Sequence, residues 1–272
     1  MLTQTLSVHR LEQNEANCFS AYYQNAGLEL QKEFGLSIYH LNGAVCLAAP
    51  GMDILMFNRV IGAGLNTPLT RHQLKEIIHF YRISGSPRFF LQLSPDVITP
   101  TILEFLESNG FRHYNNWSKY YKELYGHQQV PESNFTVARV QPYEAELFAD
   151  IVSRSFDMEY GVKNLITSTY GKPGWHYYFA LAGGRPVAAA SMFINGHHAQ
   201  LAIAATLPEA RDQGAQNLLI AVRLNQAIAE GCGGISAETA EDTPEKSSPS
   251  SRNMQRAGFT LAYNRPNFIY QF

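Results

Sequence analysis

Residues 177–206 carry two glycine turns, and these restrict what the chain can fold into. Tyr177 to Ala182 is an apolar, aromatic-rich run that Gly183-Gly184 breaks. Pro186 to Ile194 is a second run, broken by Asn195-Gly196, and His198 to Thr206 is a third. Such glycine pairs permit the positive φ angles that two-residue hairpin loops demand, so the three runs predict an antiparallel meander. Loops this short leave no room for a helix between the strands. The turns also interrupt the most apolar stretch, Tyr177 to Ile194, so no membrane span is expected there.

A different pattern follows the meander. A helix is expected from about Gly214 to Glu230, and from Leu218 to Ala229 only Arg223, Asn225 and Gln226 interrupt its apolar surface. Such a helix packs on more than one side. Gly231 and Gly233 supply its exit. Gly234 to Thr239 is a short strand, and a helix connecting two strands predicts a parallel pair. A Ser- and Pro-rich loop leads to a short helix, Ser251 to Ala257, stopped by Gly258-Phe259 before a last strand, Thr260 to Tyr270. Upstream, Thr136 to Val140 alternates as a strand, and Tyr143 to Phe156 has helical spacing at Leu147, Ile151 and Val152. The polar stretch 126–134 suits a linker, so domains are expected at 1–126 and 135–272. The first half ends as the second does: Pro100 to Ser108 is helical, then come Asn109-Gly110-Phe111 and an aromatic run to Tyr121. That shared order points to an internal duplication. The expected class is α/β, with a mixed sheet in the second half.

With 272 residues, 45% hydrophobic and 16% charged, the chain can bury a sizeable core. A net charge of -2 gives no basic footprint for nucleic acid. Cys18, Cys46 and Cys232 lack pairing or zinc-ligand spacing, which argues for a reducing compartment and no metal. No basic-then-apolar leader opens the chain, so a cytoplasmic location is expected. Nucleophile elbows, Lys-containing phosphate loops and His-Glu-x-x-His helices are absent from the sequence.

One turn carries the chemistry. In Arg211-Asp212-Gln213-Gly214-Ala215-Gln216 a helix begins at a glycine, with no acidic residue in its first turn. The first N–H groups of a helix have no internal partners, and the helix dipole adds positive potential there. Gly214 and Ala215 admit a ligand close to the backbone, and Arg211 adds a full charge, so the turn suits a pyrophosphate. The alternative is a plain turn in which Asp212 caps the helix.

The stretch resembles the acetyl-CoA-binding motif of the GNAT superfamily of N-acetyltransferases: Arg or Gln, two residues, Gly, one residue, then Gly or Ala. Arg211 and Gly214 match, and Gln216 departs. The hairpin before it, the Pro208-Glu-Ala-Arg211 turn, the buried helix and strand after it, and Arg252-Asn253…Gly258-Phe259 at the end also fit. This resemblance covers residues 135–272. Residues 1–126 look like the degenerate N-terminal domain of tandem members. The resemblance implies two GNAT-like domains in tandem, each a mixed, mostly antiparallel sheet flanked by helices. It implies acetyl-CoA as co-substrate, held by Ala204, Ala205, Thr206, Arg211, Asp212, Gln213, Gly214, Ala215 and Gln216, with Arg252 and Asn253 nearby. Pantetheine would lie where the strand ending at Thr206 splays from Gly234–Thr239, and an N–H near Ala205 would polarise the thioester. The acceptor would be the amine of a small molecule or peptide, acetylated in a ternary complex by a monomer or homodimer.

An amine must be neutral to attack, so a base is required. Glu159, His176, His198 and Glu238 are candidates; packing or solvent exposure is the alternative for each. Many family members place a Tyr acid four residues before the final Gly, where this chain has Met254. Arg59-Val-Ile-Gly62-Ala-Gly64 also matches the cofactor motif, but its next helix is expected only near Thr70. The first half is therefore expected to carry no cofactor and to cover or shape the substrate cleft. Gln216, Met254 and the unplaced base leave a second possibility: an acyl-CoA-binding module that performs no transfer. A dimerising scaffold without cofactor would give Arg211 and Gly214 no purpose.

Overall fold

A computed structural model describes residues 7–156 and 162–272. The chain forms two compact units, Met1–Lys119 with Tyr263–Phe272, and Tyr120–Ala262. The first contains α1 (Val8–Asn25), α2 (Leu28–Phe34), β1 (Ser37–Leu41), β2 (Ala44–Ala48), β3 (Arg59–Ile61), α3 (Arg71–Ser84), β4 (Arg88–Gln92), α4 (Pro100–Ser108) and the start of β5 (Arg112–Glu123). The second holds the end of β5, then β6 (Phe135–Arg139), α5 (Ala145–Phe156), α6 (Val162–Thr167), β7 (Trp175–Ala182), β8 (Arg185–Asn195), β9 (His198–Thr206), α7 (Ala215–Ala229), β10 (Gly234–Ala240) and α8 (Pro249–Arg256). The last strand, β11 (Thr260–Gln271), leaves the second unit and pairs antiparallel with β4 in the first. The sequence placed residues 135–272 together; by contact, Tyr263–Phe272 pack with the first unit.

In the second unit the strand order from β5 is β5-β10-β9-β8-β7-β6. The expected meander is present: β7 pairs β8 and β8 pairs β9, both antiparallel. Gly183 and Gly184 both have positive φ, 54° and 83°, as a type I′ loop requires. The second loop sits one residue later than the Asn-Gly signal. Asn195 pairs with His198, leaving Gly196 (φ 58°) and His197 as the turn, with the glycine first as in type II′. The helix α7 packs on the sheet through Leu218, Leu219, Ile220 and Leu224, all buried.

The two halves end their last helices identically. After α4, Gly110 N–H bonds Glu107 O and Phe111 N–H bonds Leu106 O; after α8, Gly258 N–H bonds Gln255 O and Phe259 N–H bonds Met254 O. Both glycines are left-handed, at φ 86° and 75°, completing a Schellman stop. Its hydrophobic contact joins Leu106 to the core of Phe111, and Met254 to that of Phe259.

The first unit is pinned by a buried carboxylate. Glu15 on α1 accepts from Arg59 (2.8 Å), from Arg265 (2.8 and 3.0 Å) and from Lys119. Arg265 also reaches Glu12 (2.6 Å), which accepts from Tyr263 (2.6 Å). The Arg59 guanidinium lies 4.0 Å over the Phe19 ring. Burial raises the Glu15 pKa, but the three cations outweigh it and hold the carboxyl well below the usual range. Its folded pKa lies below its unfolded one, so this stabilisation is complete at neutral pH and is lost as pH falls through the depressed value. Glu15→Ala should cost about 3–5 kcal/mol, because three buried cations lose their shared partner. Urea unfolding monitored by tryptophan fluorescence checks this; a cost below about 1 kcal/mol would show that the cluster does not hold the unit.

Candidate functional site

The site grows from the place where two strands part. The parallel pairing of β9 with β10 covers only His198–Gly234, Ala199–Ile235 and Gln200–Ser236. Beyond it β9 continues to Thr206, still paired with β8, and β10 continues to Ala240, but the two no longer pair with each other. A β-bulge assists. Ala190 pairs with Ala204 but Met192 with Leu201, so β9 carries one extra residue opposite Ser191. Bulges bend and twist a strand. The fully buried Arg223 of α7 fixes this one, donating to Ser191 O at 3.0 Å and to Leu219 O at 3.0 Å. Burial pushes its pKa down to about 9.

Alternation decides which groups of β9 face the gap. Leu207 N–H bonds Val187 O, so Ala205, two residues back, belongs to the bonded pair with Ala189. Its N–H and C=O point at β8, whereas those of Ala204 and Thr206 point to the open side. The N–H expected to serve near Ala205 is therefore that of a neighbour. Thr206 O accepts from Arg211 Nε at 3.2 Å.

At the wide end of the gap α7 begins. Gly214 is its N-cap at φ 89°, no side chain among the described residues caps the helix, and its first turn has no acid. A Cβ built on Gly214 meets nothing within 4 Å. Asp212 does not cap; it adopts a left-handed φ of 60° inside the turn. Gln213 donates to Glu209 O at 3.1 Å. The second Arg211 contact is with Ser155 O at 3.1 Å, so its charge lies beside the turn while its N–H groups bond main-chain carbonyls. Gln216 does not fold over the helix start: its amide donates to Ala205 O (2.9 Å) and Thr206 Oγ1 (3.0 Å).

A polar network occupies the apex of the gap. Gln200 Nε2 donates to Leu201 O (3.3 Å), leaving Oε1 to accept from Ser236 Oγ (2.5 Å). With its proton so used, Ser236 accepts from His198 Nε2 at 3.0 Å. The His198 ring stacks on Tyr121. His198, a candidate base for which solvent exposure was the alternative, is 7% exposed and hydrogen-bonded to Ser236, so the exposed reading does not hold. Alternation on the parallel strands puts Glu238 on the same face as Ser236, just past the last pair.

The remaining candidates lie elsewhere. His176 sits 3.9 Å from Glu230, at the far end of α7, about 24 Å of helix from Gly214. Burial, with Arg139, lowers its pKa, against the pull of Glu230. Glu159 lies outside the described residues. On α8, Arg252 donates to Ser247 and Asn253 accepts from Arg256 at 2.7 Å. Met254 is buried in the core with Ile220, Leu224 and Tyr120. The Tyr120 hydroxyl is 2.6 Å from Ser251 Oγ. Gln200, Ser236 and Tyr121 were not anticipated from the sequence.

The rival motif is differently built. Arg59 is fully buried among its ion pair with Glu15 and a bond to Gln92 (3.1 Å). Helix α3 starts at Arg71 behind a Thr70–Gln73 capping box, so Gly62 and Gly64 lie outside it. A Cβ on Gly64 would meet Val97 at 2.5 Å. Among the described residues no three His, Cys, Asp or Glu gather as a metal site, and no helix is long and apolar enough to cross a membrane. The three cysteines are free and buried.

No protein-family model and no curated protein matches the chain. Solved structures do. A GCN5-related N-acetyltransferase from Kribbella flavida superposes with a TM-score of 0.63 at 18% identity, covering 94% of this chain and 95% of that one. A GCN5-related N-acetyltransferase from Sphaerobacter thermophilus gives 0.62 at 14% identity, over 84% and 80%. A tandem GNAT protein from the clavulanic acid biosynthesis pathway gives 0.59 at 12% identity, over 95% and 96%. With its two units, its short parallel pairing and its helix opening on a glycine, the chain has the fold of the GNAT N-acetyltransferases, in the tandem form.

Proposed function

We propose that the chain is an acyl-CoA-dependent N-acetyltransferase whose site lies in the second unit. The observation that carries this is the start of α7, which among the described residues has no carboxylate in its first turn and no side-chain cap, beside the gap between β9 and β10. The N–H groups of Ala215 and Gln216, with Gly214 clearing the approach, would bind the pyrophosphate of acetyl-CoA. Arg211 would add charge. The pantetheine amides would pair with the open side of β9 as an added strand does. Ala204 is the suited partner there, since Arg211 already takes the Thr206 carbonyl and Gln200 that of Leu201.

In the transfer, the neutral amine nitrogen attacks the thioester carbonyl carbon. The new C–N bond forms, the C–S bond breaks, and the proton shed by nitrogen passes to a base. Glu238 is the candidate best placed for this, on the face and at the position where the gap opens. A backbone N–H of β9 would stabilise the oxyanion. Because Met254 is a core residue, the departing thiolate would take its proton from water. The acceptor is the amine of a small molecule or peptide. The buried Met254 and the engaged His198 also suit a second reading, a module that binds acyl-CoA without transferring its acyl group.

Acetyl-CoA at about 100 times its Kd should raise stability by about 2.7 kcal/mol, and free thiol should appear with an amine panel. A thermal shift without thiol release supports the module; neither signal contradicts both. Gly214→Val should abolish the shift, and an intact shift would redirect attention to Gly62 and Gly64. Ala204→Pro should fold, since the N–H it removes faces the gap, yet lose acetyl-CoA binding; Ala205→Pro should lower Tm by breaking the β8 ladder. The opposite pattern would overturn the assignment of the strand edges. Glu238→Gln should lower kcat about 100-fold with KM for acetyl-CoA unchanged. An unchanged kcat would remove Glu238 as the base.

A further inference from the structure

Gln216 stands where the resembled motif has Gly or Ala, and its place in the structure is not that of an obstruction. Its amide bonds two groups at the end of β9, Ala205 O and Thr206 Oγ1, at 2.9 and 3.0 Å. This is the stretch of β9 that has lost its β10 neighbour, since the parallel pairing stops at Gln200. Strand residues supported on one edge alone open more easily than those with two. The tie is also made from the first turn of α7, where the uncapped N–H groups lie.

We propose that Gln216 is a positioning residue: it staples the start of α7 to the free end of β9, so that the anion-binding N–H groups and the Ala204 edge keep a fixed spacing before ligand arrives. The proposal rests on the acyl-CoA reading above. The physical gain is preorganisation, because ordering those groups no longer has to be done by the ligand. A ligand gripping both ends at once, a diphosphate on the helix and amides on the strand, is the kind that benefits. The consequence runs against the motif. Exchanging Gln216 for the residue the motif prefers should weaken binding.

Calorimetric titration of coenzyme A into Gln216→Ala and Gln216→Met tests this. Alanine is the better helix former, and Met keeps the bulk without the donor, so both variants should fold. Each should bind about tenfold more weakly than the parent and raise KM for acetyl-CoA with kcat little changed. That difference corresponds to about 1.4 kcal/mol. Thr206→Val removes one acceptor, so combining it with Gln216→Met should give less than the sum of the two losses in binding. Affinity in Gln216→Ala equal to or tighter than the parent would overturn the proposal, as would strict additivity in the pair. A loss of Tm with affinity intact would leave Gln216 a merely structural tie and overturn it equally. If the parent itself binds no coenzyme A, the acyl-CoA reading fails; if the parent binds and Gly214→Val does not, failure at Gln216 belongs to this proposal alone.

Discussion

The parallel ladder between β9 and β10 lasts three residue pairs and then ends. A sheet interior normally satisfies every main-chain donor and acceptor, so strands that separate inside a fold need another source of hydrogen bonds. This chain provides some itself. Gln200 reaches the Leu201 carbonyl at the narrow end, and Arg211 serves that of Thr206 at the wide end. Arg223 holds the bulge from beneath. What is left over among the described residues, the Ala204 edge and the first N–H groups of α7, is polar main chain that, on the proposed function, would meet an extended, anionic, amide-bearing ligand.

The other unit spends its charges differently. Arg59 sits in a segment that spells the cofactor motif, yet its guanidinium is committed to Glu15 and Gln92. Partners for that cluster arrive from the far end of the chain, in Tyr263 and Arg265 on β11. The C-terminal strand therefore completes the first unit, and the unit depends on residues some 250 positions away. A buried carboxylate with three cations is costly to assemble and costly to break, which makes it a device for fixing one arrangement of α1, β3, β5 and β11.

Much of this was legible in the sequence because local chemistry dictated it. His198–Thr206 is a strand at the expected residues, and Pro100–Ser108 a helix at its own, since turns and caps announce themselves within a few positions. The Gly-Phe duplication was visible as a pair of dipeptides, and the structure gives it substance as two matching Schellman stops. Met254 becomes intelligible there: it is the hydrophobic contact of the stop, as Leu106 is in the other half. What the sequence hid was set by pairing across the sheet. For His198, a candidate base, the sequence left solvent exposure as the alternative, but its register against Gly234 buries it beside Ser236 and Tyr121. The edges of Ala204 and Ala205 were likewise indistinguishable until the Leu207–Val187 bond fixed the alternation.

The most direct measurement is of the backbone amides themselves. In a titration of the full chain with coenzyme A followed by amide NMR, the signals of Ala204, Gly214, Ala215, Gln216 and Asn217 should move together and saturate together. Movement at Gly62 and Gly64 with those five unmoved, or no movement at millimolar ligand, would contradict the account.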